Sequence, residues 1–180
     1  MSTTDVRNFL LHMECADAAM WKALLGVPSL SRDPGMQARV HHFHSTQTTY
    51  LQLFRGLPVE IPEAGSFADL REVGRWARQF YLELPAYLQT LTDARLGEPL
   101  TFPWASQIEE RMGSAGLTTV GDCLLQLALH SAHHRGQVLT RLRDAGGEPP
   151  LVDYIAWVWL GRPAPDWRDL DAASQGEATG

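Results

Sequence analysis

Three histidines stand close together in residues 124–142, a stretch that otherwise has the apolar spacing of a long helix. They are His130, His133 and His134. His130 and His134 are one helical turn apart and lie about 40° from each other around the axis, so their imidazoles can point at one metal ion. A core-facing helix seldom carries this much imidazole unless something binds it. A third ligand must come from another helix.

The first half of the chain offers three candidates for that third ligand, His41, His42 and His44. They fall in a predicted helix whose apolar stripe centres on Phe43. His42 lies at one edge of this stripe and His44 at the other, while His41 falls nearly opposite and is expected to face water. The periodicity therefore leaves both His42 and His44 open as the third ligand.

Three neutral imidazoles around one ion leave a coordination position free, as in catalytic rather than structural zinc sites. Nickel, cobalt, copper and iron accept the same ligands. Such an ion could acidify bound water or activate a thiolate. A serine follows His130, so the His-Glu-x-x-His pairing of metalloproteases is absent. The structural alternative is that these histidines are hydrogen-bonded residues at the edge of a helical bundle.

Four long apolar periodicities predict the helices that position these residues. The first two cover residues 5–25 and 34–55. The third follows Ser66–Asp69, which has the form of a capping box, and the fourth runs from the cap Thr119–Asp122 to Gly146–Gly147. The predicted fold class is all-α, an antiparallel four-helix bundle.

Two less regular segments complete the predicted domain. Residues 93–117 lose the helical period and gain prolines and glycines, which predicts a long crossover before the last long helix. Leu151–Leu160 is a short C-terminal aromatic segment, expected either to pack on the core or to cover the metal site. We predict one domain over residues 1–160 and a poorly ordered tail over residues 161–180.

Polar residues near the histidines are candidates for a supporting role. Gln47, Gln126 and Gln137 could form hydrogen bonds with the ligands, and Arg135 could pair with a carboxylate. Ordinary helix-surface polarity is the alternative interpretation for each of them.

The remaining polar and sulfur-containing residues are interpreted structurally. Three polar side chains of the first helix are expected to face solvent, namely His12, Glu14 and Asp17. Cys15 and Cys123 are interpreted as buried free thiols. Cys123 lies two turns from the histidine pair, about 10 Å along the axis, and is too far away to share its metal ion.

Composition excludes several classes of protein. The 180 residues are 44% hydrophobic and 20% charged, which is typical of one soluble globular domain. The net charge is −6 and there is no basic run, so we expect no nucleic-acid or membrane partner. No apolar run is long enough for a membrane span and no export signal precedes the first helix, so we expect a cytoplasmic location.

The motifs around the histidines resemble those of one family. The run His130–Gln137 resembles the H-x-x-x-H-R-G-Q signature of the DinB/YfiT-like superfamily, the DNA-damage-inducible DinB proteins of bacteria. His42 is followed by Gln47 five residues on, by the Tyr50-Leu51 pair eight on and by Gly56 fourteen on, which is similar to the second-helix pattern of that superfamily. The resemblance extends over most of the predicted domain.

This resemblance implies a four-helix bundle that binds zinc or nickel and is frequently a homodimer. Carried over by position, the metal ligands fall on His42, His130 and His134. Relatives include bacillithiol S-transferases and mycothiol-dependent maleylpyruvate isomerase, in which a metal activates a low-molecular-weight thiol. The resemblance therefore implies a metal-dependent thiol S-transferase or a hydrolase acting on a small-molecule substrate. A non-catalytic, stress-induced metal-binding bundle or dimeric interaction protein is the alternative.

Overall fold

The computed structural model describes residues 1–114 and 116–171, and most of them are helical. The four long helices are α1 (Thr3–Leu25), α2 (Pro34–Phe54), α3 (Leu70–Gln89) and α6 (Val120–Asp144). The four short ones are α4 (Asp93–Leu96), α5 (Ala105–Met112), α7 (Tyr154–Trp159) and α8 (Arg168–Asp171). Within these ranges the only β pairing is an isolated bridge between Pro99 and Thr119. The predicted all-helical bundle is confirmed.

Side chains at the helix starts satisfy the free backbone N–H groups of the first turn. At α2, Asp33 accepts a hydrogen bond from the Met36 N–H at 2.6 Å, and Pro34 occupies the first helical position. At α6, Thr119 and Asp122 form a reciprocal capping box. The Thr119–Asp122 cap is the one that the sequence predicts for α6.

The start of α3 differs from its prediction. The cap is Asp69, whose carboxylate accepts the Glu72 N–H at 3.0 Å, and not Ser66. Ser66 lies in a short 3-10 turn and donates its hydroxyl to the carbonyl of Glu63 at 2.7 Å. The hydroxyl is therefore already engaged in a local turn, and α3 begins at Leu70.

The first and last long helices run parallel to each other. Met1 lies beside Gly121 at one end of the pair, and Asp17 bonds to Arg135 in the middle. Residue numbers rise together along both helices, so α1 and α6 point the same way.

The second and third long helices are also parallel. His41 stacks on Trp76 near one end, and Phe54 stacks on Tyr87 near the other. Two consecutive helices that are parallel need a connection that runs back along the whole length of the first helix. For α2, which has 21 residues, that length is about 31 Å. The connection 55–69 can span about 50 Å and makes this return.

Antiparallel packing, as predicted, relates α1 to α3 and α2 to α6. Glu14 pairs with Arg78 between α1 and α3, and Asp33 pairs with Arg141 between α2 and α6. The segment between α3 and α6 turns at one end of the bundle, where the Leu100 N–H donates to the Thr118 carbonyl at 2.8 Å. The return along the bundle thus lies between α2 and α3, one connection earlier than the sequence predicts.

The C-terminal segments pack on α1 and α3. Tyr154 of α7 contacts the rings of Phe9 and His12 of α1, with centroids 5.6 and 5.2 Å apart. Trp167 and Leu170 are buried at the α1 and α3 surface. The sequence predicts a poorly ordered tail from residue 161, whereas Trp167 and Leu170 pack against the bundle because both side chains are large and apolar. Residues 172–180 lie outside the described residues.

In the described ranges, no helix combines the length and the apolar character that crossing a membrane would require.

Candidate metal centre

One residue of α2 and two of α6 bring their imidazoles together at the seam between these antiparallel helices. The nitrogens of His42, His130 and His134 that could bind a metal lie within 4.8 Å of one another. The Nε2 atoms of His130 and His134 are 3.1 Å apart, and the His42 ring centroid lies 4.8 Å from that of His134. The three residues singled out in the sequence therefore form one cluster. Metal binding by this cluster stays a prediction.

Polar contacts hold the two helices in this register. The Arg141 side chain donates to both carboxylate oxygens of Asp33, each at 2.7 Å, and so ties the end of α6 to the start of α2. The pair is partly exposed. His134 lies two turns before Arg141 on α6, and the same alignment of the helices brings it opposite His42.

The two candidate ligands on α2 lie in different environments. His44 is fully buried, its Nε2 accepts from the Trp21 indole at 3.0 Å, and its Nδ1 donates to the Gln47 amide oxygen at 2.7 Å. Both ring nitrogens are occupied inside the bundle. His42 is exposed on the other edge of the stripe, where it faces His130.

The remaining two histidines of these helices lie outside the cluster. His41 was expected to face water, and this is wrong: it is half-buried, stacks on Trp76 with centroids 5.2 Å apart, and bonds to the Pro62 carbonyl at 2.8 Å. The returning connection and α3 cover this side of α2, which periodicity of α2 alone does not reveal. His133 is exposed and accepts a hydrogen bond from Gln137.

Gln137 determines which nitrogen of His134 faces the cluster. Its amide oxygen lies 3.1 Å from His134 Nδ1, and because an amide oxygen can only accept, Nδ1 carries the proton. The Nε2 lone pair of a neutral His134 then points toward His130. The expected hydrogen bond between Gln137 and one of the clustered histidines is therefore present, whereas Gln126 is exposed.

Burial favours the neutral forms of His130 and His134. It lowers the pKa of His130 to about 4, with further contributions from the nearby His134 and His42. Burial also lowers the pKa of His134. Unprotonated nitrogens are what a divalent ion needs, so the donor set fits a divalent metal ion.

A buried polar network lies directly behind the cluster, and the sequence interpretation missed its centre. Asp17 was expected to face solvent but is 0% exposed. Its carboxylate accepts hydrogen bonds from Arg135 at 2.5 Å, from Gln47 at 2.8 Å and from the Tyr81 hydroxyl. The prediction that Arg135 would pair with a carboxylate is confirmed.

The network includes a donor from every long helix facing α1. Gln47 of α2 also lies 3.1 Å from Ser131 of α6. Burial raises the pKa of Tyr81 well above its usual range, so the α3 hydroxyl keeps its proton and donates a hydrogen bond to Asp17.

Glu14 and His12 were also expected to face solvent, and neither does. Glu14 bonds to Arg78, and His12 bonds to the Val152 carbonyl at 2.9 Å.

The cysteines take no part in the cluster. Cys123 is buried, and burial raises the pKa of its thiol to about 11. Cys15 is only half-buried, and burial raises its pKa as well. Thiolate is the reactive form, so neither residue has the environment of a nucleophile.

Comparison with known proteins agrees with the family resemblance. The sequence profile of the DinB superfamily matches residues 27–138, more than half of the chain. This range includes all of α2 and α3 and the three clustered histidines. A comparison with curated proteins gives no match.

Proposed function

Because the chain belongs to the DinB superfamily, we propose that it binds one divalent metal ion, zinc or nickel, through His42, His130 and His134. The observation that carries the proposal is the convergence of three imidazoles from two helices within 4.8 Å. The Nδ1-protonated form of His134 and the low pKa of His130 both leave nitrogens free for the ion.

We further propose that the metal-loaded protein is a thiol-dependent S-transferase or a hydrolase. A bound divalent ion would supply Lewis-acid activation of a thiol or of water. His42 is exposed, so the cluster is open to a small-molecule substrate at the α2–α6 seam. In the transfer, the thiol sulfur bonds to an electrophilic carbon of the substrate, the leaving group departs from that carbon, and the thiol proton passes to solvent.

The first test is the metal content of untagged protein purified without chelator and reconstituted separately with Zn²⁺ and Ni²⁺. We expect about one equivalent in the wild type and in His133→Ala, the exposed histidine of the same helix. His42→Ala and His130→Ala should lose it. Failure of the wild type to bind either metal, or full occupancy in His130→Ala, would overturn the proposal.

The reaction is tested on the same samples. Thiol consumption with an electrophilic substrate, and hydrolysis of activated esters and amides, should require metal and disappear in His130→Ala. Metal binding with neither reaction would support the non-catalytic bundle instead. Sedimentation velocity of the metal-loaded protein tests the homodimer that the family resemblance implies.

A further inference from the structure

Arg135 and Asp17 form an ion pair in the interior of the bundle. The guanidinium nitrogen is 2.5 Å from the carboxylate oxygen, and the side chains are 4% and 0% exposed. Removing two charges from water costs several kcal/mol per ion, and well-packed apolar residues often stabilise a core at least as well. Stability alone therefore does not explain the pair, and a role in fixing one arrangement of the helices is the better-attested use of such groups.

Asp17 is the point at which the four long helices meet. It lies on α1 and accepts hydrogen bonds from Arg135 of α6, Tyr81 of α3 and Gln47 of α2. Gln47 also reaches Ser131 of α6. Each hydrogen bond requires a short donor–acceptor distance and a near-linear angle, so the network restricts the rotation of each helix about its axis.

Two members of this network directly follow metal-ligand candidates in the sequence. Ser131 follows His130, and Arg135 follows His134. Successive helical residues are about 100° apart around the axis, so α6 presents Ser131 and Arg135 to the interior and the two histidines to the seam with α2. A rotation of α6 about its axis that moved His130 and His134 away from His42 would also separate Arg135 from Asp17.

We infer that Arg135 and Asp17 are positioning residues of the metal centre. Their ion pair fixes the rotation and register of α6, so that His130 and His134 face His42 across the seam. The inference rests on the proposed function, since it concerns the geometry of the same metal site. It gives the buried charges a task besides stability.

The test compares Arg135→Met with Arg78→Met. Arg78 forms the Glu14 ion pair between α1 and α3, away from the α2–α6 seam, and is the matched control. Three quantities are measured for each variant: the Zn²⁺ dissociation constant, the visible absorption spectrum of the Co²⁺-loaded protein, and urea unfolding without metal. A purely structural role predicts that affinity falls only in proportion to lost stability.

We expect Arg135→Met to weaken Zn²⁺ binding about 10- to 100-fold and to change the Co²⁺ spectrum. Arg78→Met should lower stability but leave the affinity within about twofold and the spectrum unchanged. Arg135→Lys, which keeps the charge but loses the planar donor geometry, should recover part of the affinity.

A lone buried charge could unfold Arg135→Met, so the double variant Asp17→Asn/Arg135→Met is measured beside it. It contains no uncompensated charge and should fold, yet it should show the same weakened binding and altered spectrum. Wild-type affinity and spectrum in the folded double variant would overturn the inference. Absence of both Zn²⁺ and Ni²⁺ binding in the wild type would instead overturn the proposed function.

Discussion

Gln137 accepts a hydrogen bond from the Nδ1–H of His134 over 3.1 Å, one helical turn away. Replacing the amide by an apolar group of similar size removes the acceptor that fixes this imidazole. We therefore expect Gln137→Met to raise the metal dissociation constant about 10- to 100-fold. Isothermal titration with Zn²⁺ measures this change.

Gln126→Met is the matched control for that substitution. Gln126 lies on the same helix but is exposed. Its replacement should leave the affinity unchanged within about twofold. Equal affinities of the two variants would contradict the role assigned to Gln137.

The neighbours His42 and His44 should respond oppositely to alanine. His44→Ala leaves a buried cavity and removes the partners of Trp21 and Gln47, so the free energy of unfolding should fall by about 2 to 5 kcal/mol. His42→Ala removes an exposed side chain and should change it by less than about 0.5 kcal/mol. Urea unfolding in the presence of chelator measures both values. Comparable losses in the two variants would contradict the burial described for these residues.

The Cys123 thiol should resist alkylation at neutral pH. Burial raises its pKa from 9.0 to about 11, which makes the thiolate fraction about 100-fold smaller than in the unfolded chain. The stability that this group contributes is therefore fully present below pH 9 and is lost as the pH rises from 9 to about 11.

Iodoacetamide labelling of a Cys15→Ser variant, followed by mass spectrometry, isolates the Cys123 thiol. The labelling rate at pH 8 should be far lower than that of the urea-unfolded protein and should rise toward pH 11. Equal rates in folded and unfolded protein at pH 8 would show that Cys123 is accessible and ionised.

Trp167 should contribute strongly to stability although it lies near the end of the described chain. Its ring packs 5.3 Å from that of Tyr81, lies under the Arg78 guanidinium and donates to Glu14. We expect Trp167→Ala to lower the free energy of unfolding by about 3 to 5 kcal/mol. Trp159, which is 78% exposed, provides the control, and Trp159→Ala should cost less than about 0.5 kcal/mol. Thermal and urea unfolding measure both.

Helical periodicity was sufficient to predict the long helices and the histidine pair of α6. It could not choose between His42 and His44, because both lie at edges of one stripe and the choice depends on which neighbour covers each edge. Trp21 of α1 covers His44, and this contact between two helices is not visible in the periodicity of α2. The parallel direction of α2 and α3 was missed for the same reason, since periodicity carries no information on helix direction.

Asp17 could have been recognised from its position. The buried residues of α1 recur at 10, 13, 17, 20 and 24, so Asp17 occupies a core position in an otherwise apolar stripe. The buried residues of α6 recur at 124, 127, 131, 135, 138 and 142, which places Ser131 and Arg135 in its stripe. Polar residues at core positions in several helices predict a buried polar layer. The pairing within that layer requires the tertiary structure.

The parallel packing of α1 and α6 means that the last long helix docks beside the first. Contacts of this kind join distant parts of the chain and form only after a large loss of chain entropy. His130 and His134 reach His42 in the same docking event, so a chain with undocked α6 lacks the complete cluster. A metal ion held by all three histidines would thus bind the fully assembled protein and raise the melting temperature of the entire bundle by mass action.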